Sequence, residues 1–175
     1  MQSVKVVVSG PFNAGKTTFI KAVSEISVLS TERQVSDASG EGGGETTVAM
    51  DFGRITITDD IVLYLFGTPG QERFSFMWET LSEGMLGFVL LLDASSPQQV
   101  SDASSMIEFF RGMSEVPFVV AANKVDAEDA ETLSLLRTDL GLDASVPLTA
   151  VDARDRESVK LVLIGLLNEI LKSTE

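Results

Sequence analysis

Short apolar runs alternate along this chain with longer stretches whose apolar positions recur every three or four residues. Val4 to Ser9 reads as a buried strand, followed by a glycine-bounded loop and a helix from about Lys16 to Val28. Val48 to Thr58 alternates, turns at Asp59-Asp60 and returns through Ile61 to Phe66, the pattern of a hairpin. Gly87 to Leu92 is almost continuously apolar, as a central strand covered on both faces should be. Ser95-Ser96-Pro97 opens a helix. Val116 to Ala122 supplies a further strand, a helix from Glu128 to Leu140 stops at Gly141, and Val146 to Thr149 forms a short strand. In the last segment, Glu157 to Lys172, the positions Val159, Val162, Leu163, Leu166, Leu167 and Ile170 keep a helical period. Ser36 to Glu45 is glycine, serine and acid without periodicity and reads as a mobile loop. The alternation predicts one α/β domain over residues 1–175. Its three layers comprise about six strands, mostly parallel with one antiparallel, and about five helices.

Composition narrows the chemistry. With 13 Lys plus Arg against 26 Asp plus Glu, the net charge is −13, which argues against nucleic acid and anionic lipid as partners. The chain has neither cysteine nor histidine. That removes disulfides, thiolate zinc sites and Ser-His-Asp catalysis, along with any side chain that titrates unperturbed near neutrality. Its apolar runs are too short to span a bilayer. The start MQSVKVVV lacks the apolar stretch of a leader, and no lipidation motif is present. The expected setting is cytoplasmic.

Three motifs carry chemistry. Gly10-Pro11-Phe12-Asn13-Ala14-Gly15-Lys16-Thr17 matches G-x-x-x-x-G-K-[ST] between a strand and a helix. There the glycines let backbone N–H groups turn around an anion at a helix N-terminus. Lys16 supplies a charge for β/γ-phosphates and the Thr17 hydroxyl a ligand for Mg²⁺. Asn13, Ala14, Gly15, Lys16, Thr17 and Thr18 form the expected phosphate cradle. The second motif, Gly67-Thr68-Pro69-Gly70-Gln71-Glu72, ends the returning hairpin strand. Beside the phosphate loop it can offer the Gly70 N–H to a γ-phosphate and the Gln71 amide to an attacking water. The third is Asn123-Lys124-Val125-Asp126. A carboxylate at Asp126 accepts from guanine N1–H and its exocyclic amine, which adenine lacks. Asn123 would tie this loop to the phosphate loop, and the Lys124 stem can lie on the base.

The order of these motifs, with Thr46-Thr47 after the mobile loop and Thr149-Ala150 before the last helix, resembles the Ras-like small GTPases over nearly the whole chain. LFGTPGQERFSFMWETL is similar, more narrowly, to prokaryotic members such as the Mgl-type polarity GTPases and those of actinobacterial conservon operons. The resemblance implies a P-loop G domain that binds GTP or GDP with Mg²⁺, hydrolyses GTP slowly and acts as a switch. Its implied partners are activating, exchange and effector proteins, and its implied state is a monomer or a nucleotide-dependent dimer. Thr17 and Thr47 match the metal ligands, Gly70 the γ-phosphate sensor and Gln71 the water-positioning residue. Asn123, Lys124, Asp126, Thr149, Ala150 and Val151 match the base site, with Ala150 the residue whose N–H reaches the guanine oxygen.

Three positions depart from the family. Gly67 stands where many relatives have an Asp that holds a magnesium-bound water; Asp51, Asp59 or a water could replace it. Phe12 is bulky at a phosphate-loop position, and Val151 stands where lysine is common. Arg33, Arg54 and Arg73 are the candidates for an arginine acting in cis, Arg54 and Arg33 foremost. Phe74, Phe76, Met77 and Trp78 form an aromatic cluster that reads either as core or as a partner surface remodelled with nucleotide state. Beside the GTPase reading stands a nucleotide-responsive binding module without appreciable hydrolysis; a P-loop kinase or ATPase is disfavoured by NKVD.

Overall fold

The computed structural model describes residues 1–36 and 45–175, and the side chains of 1–29 and 50–175. The glycine- and acid-rich stretch expected to be a mobile loop falls, but for its two ends, outside the described residues. The elements run β1 (Gln2–Ser9), α1 (Lys16–Val23), β2 (Leu29–Ser36), β3 (Glu45–Thr58), β4 (Ile61–Gly67), a 3₁₀ turn (Glu72–Phe74) and α2 (Phe76–Ser82). There follow β5 (Gly87–Asp93), α3 (Pro97–Met113), β6 (Phe118–Asn123), α4 (Ala130–Asp139), β7 (Leu148–Val151) and α5 (Arg156–Ser173).

The strands form one sheet in the order β2-β3-β4-β1-β5-β6-β7. β3 pairs antiparallel with both β2 and β4, and the other pairs are parallel. The class is therefore the expected one, with β3 as its single antiparallel strand. The seventh strand is β2, whose sequence LSTERQVS carries too little apolar alternation to announce itself. Its neighbour β3 supplies the reason it forms, through a register that runs from Leu29↔Phe52 to Ser36↔Glu45.

Side-chain alternation builds the three layers. On β5, Val89 and Leu91 join the apolar cluster formed with Phe19, Ile20 and Val23 of α1 and Val159, Leu163 and Leu166 of α5. Phe88, Leu90 and Leu92 point the other way, into a cluster with Trp78 of α2, Phe110 of α3 and Leu136 of α4. Every residue of β5 is buried, which explains why its sequence runs apolar without a polar face. Four of the predicted aromatic and sulfur positions resolve mostly as core: Phe74, Met77 and Trp78 are buried, and Phe76 is 44% exposed.

Two boundaries differ from expectation in ways that matter. Helix α1 stops at Val23 rather than Val28, because Ser24 and Glu25 turn to β3: Arg54 N donates to Ser24 Oγ, and Glu25 N to the Arg54 carbonyl. The last strand is shifted two residues toward the C-terminus. Pro147 accepts from Val120 N, so pairing with β6 starts at Leu148. Among the described residues no helix is long and apolar enough to cross a membrane.

The loops after β1, β4, β6 and β7 all leave the sheet at the carboxyl ends of parallel strands. β1 lies where the connections diverge to opposite sides, the place where open α/β sheets bind ligands. The rigidity of this platform is testable at Phe88. Its ring is fully buried, stacks on Phe118 with centroids 4.8 Å apart and meets Phe110 at 5.1 Å. Phe88→Ala is expected to lower the unfolding free energy by about 3–5 kcal/mol. Urea titration measures this as a shift of midpoint at unchanged slope.

Candidate nucleotide site

β1 delivers the chain into a tight loop in which Gly10 (φ 153°), Asn13 (φ 68°) and Gly15 (φ 106°) have positive φ. Gly10 is also demanded by space, since a Cβ there would lie 2.0 Å from the Leu91 carbonyl oxygen. Helix α1 starts with no side-chain cap and no acid in its first turn. By contrast Ser96, Asp129 and Asp155 cap α3, α4 and α5. The first N–H groups of α1 therefore remain for a ligand, and the helix dipole adds positive potential there. Lys16 Nζ donates to the carbonyls of Gly10 (2.7 Å) and Pro11 (2.8 Å). Burial pushes its pKa down to about 8, against the opposing pull of the Asp51 carboxylate.

The segment after β4 lies directly over this loop. A Cβ on Gly70 would meet Phe12 N at 2.5 Å and Lys16 Nζ at 2.7 Å, so only glycine lets the backbone come this close. Trp78 Nε1 holds the segment by donating to the Pro69 carbonyl at 2.8 Å. Buried Gln99 braces the loop from the other side: its Nε2 donates to the Phe12 carbonyl (3.1 Å), and its Oε1 accepts from Asp93 N (2.8 Å). Gln71 is half-buried and does not line the cleft; its Oε1 accepts from Arg73 Nε at 2.8 Å. The Arg73 guanidinium lies over the Phe74 ring, 4.6 Å from its centroid. Of the other arginines, Arg54 is opposite Tyr64 in the sheet and does not line the cleft. The Arg33 side chain lies outside the described residues. Phe12 is 58% exposed at the rim.

Thr17 and Thr18 are exposed on the first turn of α1 and line the cleft. The Thr17 hydroxyl donates to Asp51 Oδ2 at 2.5 Å. A hydroxyl beside a carboxylate suits a hard divalent cation such as Mg²⁺. Among the described residues no group of three or more His, Cys, Asp or Glu could hold a metal by itself. Such an ion would have to complete its shell with ligand phosphates. Thr47 is opposite Gln34 in the β2–β3 register, and its side chain lies outside the described residues, as does that of Thr46.

At the far end of the cleft, Asn123 is buried where β6 ends. Its Nδ2 donates to the Ala14 carbonyl (3.2 Å), and its Oδ1 accepts from Lys124 N (3.1 Å) and Ala153 N (3.4 Å). The expected tie to the phosphate loop is present, together with one to the loop after β7. Lys124 adopts φ 61°, and its Nζ pairs with Asp93 at 3.1 Å. Asp126 is exposed on the cleft wall, with Oδ1 accepting from Glu128 N at 3.0 Å. Thr149 does not line the cleft; it is an exposed residue of β7. Ala150 and Val151 also belong to β7 and reach the wall, but the loop itself is Asp152-Ala153-Arg154, all three lining the cleft. Ala153 is buried, and a Cβ on Gly15 would lie 3.7 Å from its Cβ. Asp152 holds Arg154 through both carboxylate oxygens at 3.1 and 3.2 Å. Sequence reading did not place Ala153 on the cleft wall because it put β7 two residues early. The Asp-x-Arg-Asp run before the last helix, with Asp155 as its cap, was the available signal.

These loops enclose one cleft of about 1160 Å³. Anion-binding groups (Gly15, Lys16, Thr17) lie at one end, and a carboxylate and backbone amide (Asp126, Ala153) at the other. That division suits an anionic ligand with a hydrogen-bonding ring.

The comparisons with known proteins agree in kind. Residues 27–173 match the family described as "Conserved hypothetical ATP binding protein", a match that begins downstream of the glycine loop. Uncharacterized protein MJ1339 of Methanocaldococcus jannaschii is 33% identical over 129 residues, which cover 74% of this chain and 75% of that protein. Ras-related protein Rab-3C of Mus musculus is 26% identical over 173 residues, 95% of this chain and 70% of its own. Circularly permutated Ras protein 1 of Dictyostelium discoideum is 24% identical over 155 residues, 86% of this chain but 18% of that longer protein. A family match over this much of the chain means that the protein belongs to the conserved hypothetical ATP binding protein family, with Ras-related proteins among its relatives.

Proposed function

We propose that the protein is a GTP-binding switch that hydrolyses GTP slowly to GDP and phosphate. The observation that carries this reading is the meeting of Lys16, Gly70 and Asp126 in one cleft. The first two are in contact distance, and Asp126 is tethered to the phosphate loop through Asn123. In this reading the N–H groups of Asn13 to Thr18 and the Lys16 ammonium take the phosphates, displacing the lysine from the Gly10 and Pro11 carbonyls. Gly70 offers its N–H to the γ-phosphate, which forces the segment over the loop to adjust. Gln71 leaves Arg73 and orients a water for in-line attack. Thr17 of α1 and Thr47 of β3 would hold a divalent cation, which would neutralise charge on the β- and γ-phosphates when bound. Asp126 selects guanine, Lys124 flanks the ring, and the N–H that reaches the guanine oxygen comes from Ala150 or from Ala153, the latter by giving up its long bond to Asn123 Oδ1. The motif GTPGQERF supports a place beside the prokaryotic polarity- and conservon-type members, and activating, exchange and effector proteins are the corresponding partners.

A second reading has specific support: the family description names ATP. The two nucleotides differ at the Asp126 end of the cleft. Competition between GDP and ADP for a fluorescent guanine nucleotide is expected to favour GDP by at least about 100-fold, from two charge-assisted hydrogen bonds. Asp126→Ala should remove most of that margin. Equal binding of GDP and ADP by the unaltered protein would sink the guanine assignment.

The pairing of Gln71 with Arg73, outside the cleft, favours a binding module without hydrolysis. Single-turnover hydrolysis of GTP decides between the two. No turnover by the unaltered protein would point to the module; if it does turn over, Gln71→Ala is expected to slow it by about 10–100-fold, and a rate untouched by the change would remove Gln71 from the mechanism.

The depressed pKa of Lys16 gives a third expectation. Phosphate anions beside the ammonium favour its charged form, so binding raises the pKa from about 8. Above pH 8 the free lysine is largely neutral and must take up a proton as nucleotide binds; at pH 7 it is already charged. Calorimetry in buffers of differing ionisation enthalpy should show most of a proton taken up at pH 9 and little at pH 7. Uptake that is the same at both pH values would contradict the assignment, and no histidine is present to confuse it.

A further inference from the structure

We propose that Gln99, in the first turn of α3, is a positioning residue for the terminal phosphate: it fixes the Phe12–Asn13 peptide so that the Asn13 N–H faces the γ end of the cleft. This deepens the GTP-binding reading and rests on it.

The local sequence offers Gln99 a different task. Ser96-Pro97-Gln98-Gln99 has the spacing of a capping box, in which the side chain three residues after the cap accepts from the cap's own N–H. Only half of that box forms. Ser96 Oγ accepts from Gln99 N at 3.3 Å, but Ser96 N donates to the Asp93 carbonyl at 3.2 Å. The Gln99 amide, 8% exposed, instead joins two backbone groups from outside its helix. Oε1 accepts from Asp93 N at 2.8 Å, and Nε2 donates to the Phe12 carbonyl at 3.1 Å, across 87 residues of sequence.

A trans peptide carries its C=O and N–H on opposite sides. With the Phe12 carbonyl held toward α3, the Asn13 N–H is turned away from that helix, and Asn13 lines the cleft. Among the described residues no protein group accepts from it. Asn13 also holds φ 68°, a left-handed conformation that a non-glycine residue keeps only where its surroundings enforce it. Two residues on, the Asn123 amide holds the Ala14 carbonyl in the same way at 3.2 Å. Two buried amides, from α3 and β6, thus fix alternate carbonyls of one loop and leave the N–H groups that follow them to the ligand.

Their places separate their tasks. Asn123 is joined to Lys124 and Ala153 at the base end. Gln99 grips the loop beside Gly70, where a Cβ would lie 2.5 Å from Phe12 N. Gly70 is the residue proposed to meet the γ-phosphate, so the Asn13 N–H belongs to the part of the cradle that the third phosphate occupies.

The test compares the affinities of the full chain for GDP and for a non-hydrolysable GTP analogue, by displacement of a fluorescent guanine nucleotide. Gln99→Met keeps an unbranched side chain of similar length but has no donor. It is expected to weaken the analogue about 10-fold more than GDP, the scale of one hydrogen bond to a charged group. The preference for GDP over ADP should not change. Gln99→Glu keeps an oxygen for Asp93 N and has a donor only when protonated. Its affinity for the analogue, relative to the unaltered chain, should therefore recover as the pH falls from 7 to about 5. Lys16, with its pKa at about 8, stays charged throughout that range. Circular dichroism establishes whether each variant is folded. Equal losses of GDP and analogue in Gln99→Met would mark a brace that serves the loop as a whole and would overturn the proposal, as would no loss of either. A Gln99→Glu protein whose relative affinity is the same at both pH values overturns it too, and decides alone if Gln99→Met does not fold. If the unaltered chain holds guanine nucleotide and these variants match it, this inference falls while the GTP reading stands; if it holds none, both fall.

Discussion

The buried side-chain amide of Asn123 is the interaction on which the cleft depends. It sits at the end of a strand whose six residues are all buried, so its position is set by the sheet. From there it reaches the phosphate loop at Ala14, its own loop at Lys124 and the last loop at Ala153. Donor and acceptor are both used, and leaving either buried without a partner would cost about 1–3 kcal/mol. An aspartate would lose the donor to Ala14, and a leucine would lose both ends. One residue of the right polarity on both sides therefore joins three segments far apart in sequence, and it sets how far the anion-binding end of the cleft is from Asp126.

The electrostatics of the site are local and run against the net charge. The chain as a whole carries −13, yet the loop after β1 presents the uncapped end of α1 and the ammonium of Lys16. At α3, α4 and α5 the helix N-termini are closed by Ser96, Asp129 and Asp155. At α1 an anion can supply what a side chain supplies at those three helices. The depressed pKa of Lys16 reflects the same tension: burial without a counter-anion disfavours charge, and the carboxylate of Asp51 offsets this only in part.

Much of this was legible in the sequence, and the failures have identifiable causes. The all-buried runs of β5 and β6, the buried second half of β1 and the helical period of α5 are strong signals because each has one dominant packing environment. Strand β2 gave no such signal; LSTERQVS becomes a strand only because β3 offers it a partner. The glycine loop and Asn123 lie where their motif spacing puts them, between β1 and α1 and at the end of β6. The loop after β7 was placed two residues early because it depends on where that strand begins, and pairing with β6 starts only after Pro147. The position of Gln71 was also beyond reach, since no pattern says that Arg73 will hold it away from the cleft. Asp51 could be offered as one of several substitutes for the acid absent at 67, and that it lies directly across from Gly67 is readable only in the cross-strand register.

That register has a wider consequence. Residues that face the same way on adjacent strands share one volume, so a functional group can pass from one strand to its neighbour without changing its place in space. Asp51 and Gly67 lie sixteen positions apart in sequence, yet the Asp51 side chain occupies the space beside Gly67. Recognition of distant members of this fold by linear motif is thus blind to exchanges across a strand pair, whereas a comparison of paired positions would retain them.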